Sequence, residues 1–554
     1  MQLKFKLFFK KLILPFLGLL YLLTLNACQY NKNINTHKSL NVDIAILNGM
    51  VIDGTGATRQ QLDIGIKNNQ IIYLGKEKNL FAKRVIDAKS LIVAPGFIDG
   101  HSHSDRFIKF NNNKLNESAL FQGVTTVVGG ADGQWSPLEI QSLISKYNKN
   151  GIATNIAFFV GHNGIRSAVM GNAQRHATDI EIYKMSTLVK QGMEMGAVGL
   201  STGLMYDPGK HSSTEEVIAL AKVAAKYGGV YDSHVRDPIN ALLASDQEVI
   251  TIGREANIPA KIGHVKAVCQ HNAGLSKSII SMVEQARREG INIVSDQYPY
   301  DGAKTEFLAS LINVPSSITS QPNYNLKSAL SNSQTLSVLK KTSEEGINGQ
   351  FSWLKILAYD CIRITYSRDF PDYEGKYISE LAKESKISGF DIIVKLLIDA
   401  KSPIRITFGG VEENDVQAIL TKSWNMIVSD GYYVDKQSPN NIHPRSTGTF
   451  ARILGYYVRE KELLTLEEAI RKMTSAPAEF LNLSGRGIIK QGAIADIVIF
   501  NPETVRSQSS WSEPKHYAKG FNYVLVSGQL VIDENKLTGR TPGNYIKRTN
   551  LTQR

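Results

Sequence analysis

Six side chains of metal-ligand type stand where short apolar runs of this sequence end. The stretch "APGFIDGHSHSD" finishes in His101 and His103, and Asp132 follows "GVTTVVGGA". His234 closes "GGVYDSH", His264 follows "AKIG", and Asp430 closes "NMIVSD". In a β-strand, side chains at i and i+2 point to the same side, so His101 and His103 can face one spot. Imidazole nitrogens and carboxylate oxygens suit zinc best, with manganese, iron or cobalt also served by such a set. Taken singly, each histidine is more often a satisfied polar residue than a ligand. Asp132 and Asp430, each followed by glycine, could be turn formers. Six such residues, all at strand C-terminal ends, can instead hold one or two divalent ions.

The elements that must position them alternate. Strand candidates such as "NIAFFVGHN", "GAVGLSTG", "INIVSDQYPY" and the runs named above are separated by helical stretches such as "TEEVIALAKVAAKYG" and "SIISMVEQARREG". The helical stretches have apolar spacing near 3.6 and a glycine stop. Repeated β-then-α at this length predicts an α/β fold, a (β/α)8 TIM-like barrel over 94–483, whose C-terminal strand ends surround one site. The segment 313–405 is longer than a βα connection needs and reads as a helical insertion at the site's mouth, a lid. Residues 42–93 and 484–540 share a different texture, short alternating strands punctuated by Gly and Asn. The two chain ends are therefore expected to fold together as a small β-sandwich domain.

The chain has 554 residues, 42% hydrophobic and 21% charged, enough to build a sizeable core. Its formal charge is +12, but four lysines and no acid lie in residues 1–27, which leaves +8 for the rest. Without a run of five like charges or aromatic-basic interleaving, a nucleic-acid partner is not indicated. A mildly basic enzyme acting on a small anionic substrate fits this balance. Residues 1–27 have a basic start and an apolar stretch from Leu12 to Leu25 broken by Pro15, as an export signal does. Leu25, Asn26, Ala27 and Cys28 resemble a bacterial lipoprotein cleavage box. That resemblance implies removal of 1–27, lipid on Cys28, a flexible tether over 28–41, and anchoring in the bacterial cell envelope facing the periplasm or exterior. Cys269 and Cys361 could pair, and the sequence leaves this open.

The motifs together resemble the amidohydrolase superfamily and, within it, the D-aminoacylase (N-acyl-D-amino-acid deacylase) family. They include "APGFIDGHSHSD", "GHNGIR", "GAVGLSTGLMYDPG", "YDSHVRD", "IGREANIPAKIGHVKA", "HPRSTGTFARILG" and "ADIVIFNP". The resemblance implies a zinc-type enzyme with one or two divalent ions. His101, His103 and Asp430 would form one site, and Asp132, His234 and His264 the tighter one. Asp132 departs from the best-known members, which carry a cysteine there in "GNCG". No lysine stands where dihydroorotases carry a carboxylated one. Asp430 is implied as the catalytic proton acceptor and donor in hydrolysis of a linear N-acyl-D-amino acid. Lys266, Tyr298 and Arg445 are implied to hold the substrate's free carboxylate, and His162 to support the ligands. Lys304 stands where relatives more often have Ser or Thr. A dipeptidase, a cyclic-amide hydrolase or a non-catalytic surface lipoprotein remains an alternative, and D-selectivity rests on the resemblance alone.

Overall fold

A computed structural model describes residues 39–76, 80–347, 352–434 and 442–549. The signal segment and Cys28 lie outside the described residues.

Eight parallel strands form the central sheet, paired in sequence order: β1 (Phe97–Asp99), β2 (Val124–Gly129), β3 (Asn155–Gly161), β4 (Gly199–Gly203), β5 (Val230–His234), β6 (Ala260–Ile262), β7 (Ile293–Gln297) and β8 (Asn425–Ile427). β8 pairs with β7, and the seam to β1 closes just beyond the strands. There the Asp430 N–H donates to the His101 carbonyl at 3.0 Å, and the His103 N–H to that of Gly431 at 2.9 Å. Asp99 accepts from the Ser429 N–H (2.9 Å) and hydroxyl (2.5 Å) across the same seam. Barrel closure and the presentation of three of the six polar residues are thus one structural event.

The strands are apolar almost throughout because helices cover the outside, as a parallel sheet requires. The helix Thr214–Lys226 buries Val217, Leu220, Ala221 and Ala224, one face at i, i+3, i+4 and i+7. It starts where the Ser213 side chain accepts from the Glu216 N–H, a capping bond that satisfies an otherwise orphaned donor. The helix Ser276–Arg288 buries Ile279, Val283 and Ala286 by the same spacing.

The two chain ends meet in one nine-stranded sheet. Strand Ile92–Pro95 pairs with Ile497–Phe500 across about four hundred residues of sequence. Its apolar face shares one core, including Ile46, Ile64, Ile71, Val93, Ile497 and Leu525. The hairpin at Gly528 lies against Asn68, so opposite ends of the sheet come together over that core. The last described residues continue beyond this sheet. Tyr545 bridges to Ile156, and the Ile546 N–H donates to the Ile156 carbonyl at the N-terminal end of β3. Ile546 packs with Ile98, Val128, Val230 and Phe480, closing the barrel floor away from the polar residues.

The segment 313–405 is largely helical and carries the strand Ile362–Tyr366. That strand joins Gly302–Phe307 and Arg405–Gly410 in a three-stranded antiparallel sheet, so the inserted unit draws strands from outside the expected segment. Cys269 and Cys361 are joined by a disulfide, which ties this unit to the segment following β6.

Candidate metal centre

The turn that delivers Asp132 is the sharpest local feature of the site. Gly130, Asp132 and Gly133 have φ of 74°, 56° and 74°. A Cβ on Gly130 would lie 2.3 Å from the Phe159 carbonyl oxygen, and one on Gly133 2.4 Å from Asn163 Oδ1. Glycine is therefore required for the turn to press against β3 and its extension. Asp132 itself tolerates the left-handed conformation better than most residues. Asp105 pins the turn by accepting from the Gly130 N–H (2.9 Å) and Trp135 Nε1 (2.5 Å). Asp132 is thus a turn former whose side chain also reaches the histidines.

All six candidate residues converge, and Asp132 is central. Its Oδ1 lies 3.3 Å from His101 Nε2, 3.5 Å from His234 Nδ1 and 3.6 Å from His264 Nε2. Its Oδ2 lies 3.4 Å from His103 Nε2. Asp430 Oδ1 approaches His103 Nε2 at 3.1 Å and His101 Nε2 at 3.8 Å. Most of these separations exceed the roughly 3.2 Å limit of good hydrogen bonds. Those from Asp132 to His101 and His103, 3.3 and 3.4 Å, match the ligand-to-ligand edges of about 3.3–3.4 Å expected for a tetrahedral ion with bonds of about 2.0–2.1 Å. His101 Nε2 and Asp132 Oδ1 are buried without a hydrogen-bond partner among the described residues, a costly arrangement unless a cation is ligated. The sets His101–His103–Asp132, His101–His264–Asp430 and Asp132–His234–His264 each bring one ligand atom per residue within 4.8 Å of the others. The residues fit one or two zinc-type ions, with Asp132 facing both groups of histidines.

The ionisable groups of the centre shift one another: against the effect of burial, neighbours including Asp132 hold His101 and His103 above the usual imidazole range. Burial pushes the Asp132 carboxyl up, but His234, His101 and His103 outweigh it and hold it well below the usual carboxylate range. For Asp430, burial is likewise overcome by Arg445 and His264. Burial, reinforced by Lys266 and His234, pushes His264 down to about 3, which leaves the neutral ring that a ligand must be.

Beneath the six lies a charged layer that sequence reasoning missed. Lys261 is 1% exposed, and its ammonium lies 3.3 Å from Asp232 Oδ1, in contact with Asp296, and 3.2 Å from the Gly100 carbonyl. Asp232 Oδ2 is 3.6 Å from His101 Nδ1, and Asp296 accepts from the His264 N–H. His103 is held from its other side by Gln134 Nε2 (3.1 Å), and Gln134 Oε1 in turn accepts from Arg106 Nε (2.8 Å). A signal for Asp232 was present: it stands at i−2 from His234, hence on the same face of β5. Carboxylates behind ligating histidines fix ring orientation and raise ligand basicity. Asp232→Asn should therefore lower zinc affinity roughly 10- to 100-fold with the fold intact. Competition against a graded chelator checks it; unchanged affinity would reduce the layer to packing.

The centre opens into a cavity of 1150 Å³, lined on the barrel side by His103, Asp132 and Asp430 and on the inserted side by Trp353, Leu357 and Phe408. Lys266, Tyr298 and Arg445 all line it. Arg445 Nη1 is 2.9 Å from Asp430 Oδ2 and donates to the Ala303 carbonyl at 2.8 Å. Lys266 Nζ leans on His264, 2.8 Å from Nδ1 and 2.5 Å from its carbonyl. Burial pushes that ammonium down to about 8, with Asp430 opposing and Arg445 adding to the shift. The Tyr298 ring lies between the two cations, 5.2 Å from the Lys266 ammonium and 4.6 Å from the guanidinium. Lys304 reaches the same cavity, paired with Glu306 at 3.0 Å and over the Trp353 ring at 4.3 Å. His162 bonds Glu216 at 2.8 Å, a carboxylate it shares with Arg166, and so braces the wall behind the site.

Comparisons with known proteins agree with this geometry. A model described as the amidohydrolase family matches residues 84–232 and 376–532. A D-aminoacylase of Alcaligenes xylosoxydans xylosoxydans is 31% identical over 92% of this chain and 98% of its own. An N-acyl-D-glutamate deacylase of the same organism is 31% identical over 92% of this chain and 97% of its own. The crystal structure of an N-acyl-D-glutamate deacylase from Bordetella bronchiseptica, complexed with zinc and a phosphonate that mimics the tetrahedral intermediate, superposes with a TM-score of 0.71. It is 29% identical and covers 92% of this chain and all of that one. With relatives spanning nearly the whole length and the match reaching both sides of the barrel, the protein belongs to the amidohydrolase family.

Proposed function

We propose that this protein is a metal-dependent hydrolase that cleaves the amide of N-acyl-D-amino acids, with zinc as its ion, releasing a carboxylate and a D-amino acid. The observation that carries the reading is the placing of Asp430. One carboxylate oxygen faces the His101–His103 pair and the other Arg445, at the edge of a cavity lined by Lys266 and Tyr298. The relatives' substrates supply the acyl-D-amino-acid class.

Held by His101, His103, Asp132, His234, His264 and Asp430, a divalent ion would supply Lewis acidity toward the substrate carbonyl and the attacking water. The protein does the rest. Asp430, held ionised by Arg445 and its histidine neighbours, takes the proton from the attacking water at one oxygen and delivers it to the departing nitrogen. Lys266 and Arg445, flanking Tyr298, attract the substrate's α-carboxylate and so fix the amide relative to Asp430. The carboxylate end sits against the barrel, and the Trp353–Phe408 wall is left for the remaining apolar part of the substrate.

The reading extends to location. We propose that the chain is exported and held by lipid on Cys28; the N-terminal motif supports this, and a disulfide at Cys269–Cys361 suits an oxidising compartment.

Amine release is the test, measured on paired N-acetyl-D- and N-acetyl-L-amino acids and on the α-carboxamide of the D series. The expected result is D-selective turnover that falls at least about 10-fold when the carboxylate is capped, the loss of one charge-assisted contact being about 1.5–3 kcal/mol. Metal-loaded protein that turns over neither series would overturn the reading and move the search to dipeptides and cyclic amides.

A further inference from the structure

Two short stretches outside the catalytic centre carry soft ligand chemistry: Cys269-Gln270-His271 and Asp360-Cys361. They are 92 residues apart in sequence, and the disulfide brings them together. His271 stands beside it, with one ligand atom of each of Cys269, His271 and Cys361 lying within 4.8 Å of the others. Asp360 Oδ2 lies 2.8 Å from His271 Nδ1 and accepts the His271 N–H at 3.2 Å. The second oxygen of Asp360, Oδ1, is buried and has no hydrogen-bond partner among the described residues. Two sulfurs and an imidazole form a donor set that selects zinc once the sulfurs are thiolates, and the Asp360 carboxylate, hydrogen-bonded to that imidazole, stands beside it with an unused oxygen.

We propose that in the reduced protein Cys269, His271 and Cys361 bind a zinc-type divalent ion, with Asp360 behind the His271 ring, so that metal clamp and disulfide are alternative closures of one joint. The exchange balances. A dithiol or phosphine reductant gives two electrons to the S–S bond, which breaks and takes up two protons to give two thiols. The ion then binds with release of both thiol protons and of any proton on the metal-facing nitrogen of His271, whose ring otherwise lies between Asp360 and the Ile239 carbonyl.

The location gives the joint a purpose. The Cys269 N–H donates to the Gly410 carbonyl at 2.7 Å, and Val268 bridges to Val411. Gln270 bonds Glu380 of the inserted unit at 2.9 Å. Val268 and Gly409 line the cavity, and Lys266 lies two residues before Val268. Whichever closure is present, the inserted wall is fixed against the segment that carries Lys266. The proposal does not depend on the reaction catalysed.

Cobalt(II) separates this site from the catalytic centre, whose six candidate ligands include no sulfur. The protein carrying Cys28→Ser, so that only Cys269 and Cys361 supply thiols, is produced and kept under a phosphine reductant, its two thiols are counted, and cobalt is titrated. We expect a near-ultraviolet thiolate-to-cobalt charge-transfer band that saturates at one cobalt per chain beyond the histidine–carboxylate centre. The band should be absent after oxidation, lost in Cys361→Ser, and reached only at roughly 10- to 100-fold higher cobalt in Asp360→Asn. Two free thiols with no band at saturating cobalt would overturn the proposal, as would a band indifferent to His271→Ala. If a variant fails to fold, the reduced-against-oxidised comparison on the otherwise unaltered chain still decides.

Discussion

Asp430→Asn should lower kcat for N-acyl-D-amino-acid hydrolysis by about 10²- to 10⁴-fold, the range that positioned proton transfer contributes. The substitution isolates chemistry from folding. Asp430 has φ 47°, a conformation that asparagine accepts as readily as aspartate, and its backbone N–H keeps its bond to the His101 carbonyl. The amide retains the shape of the carboxylate but cannot take a proton from water at neutral pH. Arg445 loses its 2.9 Å partner yet keeps the Ala303 carbonyl, so the guanidinium stays in place. Metal content measured on the same sample separates a lost proton shuttle from a lost ligand. A variant with unaltered metal content and less than about a 10-fold fall in kcat would remove Asp430 from its catalytic role.

Asp132→Asn should have the second large effect, this time on metal retention. Asparagine again tolerates the left-handed backbone, so the turn between Gly130 and Gly133 is preserved. What disappears is the charge shared by four histidines at 3.3–3.6 Å. Four neutral imidazoles and Asp430 would remain to balance one or two dications. The expected loss of zinc affinity exceeds the roughly 10- to 100-fold typical of outer-sphere partners, and activity should fall in parallel. Zinc measured after dialysis against a graded chelator checks this. Wild-type retention would mean that the carboxylate shapes the turn and does not ligate.

These two aspartates show how unevenly the sequence reports on the site. The HxH spacing announces His101 and His103 as a pair, but both stand beyond β1, which ends at Asp99, and backbone contacts with Asp430 and Gly431 across the seam hold them there. The helices Thr214–Lys226 and Ser276–Arg288 are legible because their buried residues follow the helical period. The centrality of Asp132 is not local. It depends on a glycine turn pressed against Phe159 and Asn163, residues supplied by another strand and the helix after it. Asp232, Lys261 and Asp296 read singly as polar interruptions in apolar strands; only parallel pairing of β5, β6 and β7 makes them one charged layer behind the histidines.

The sequence by itself determined the alternating α/β architecture, the six polar strand ends, the β-rich character of both chain ends and the metal-hydrolase chemistry those residues imply. Each follows from composition, period or motif, which act over a few residues. Tertiary structure alone decided the pairing of Cys269 with Cys361, the closure of the barrel floor by Ile546, the strands that complete the inserted sheet and the contact of His162 with Glu216. The physical reason is that register and packing partners are selected by burial over hundreds of residues, and no local pattern encodes which distant strand or side chain meets a given one.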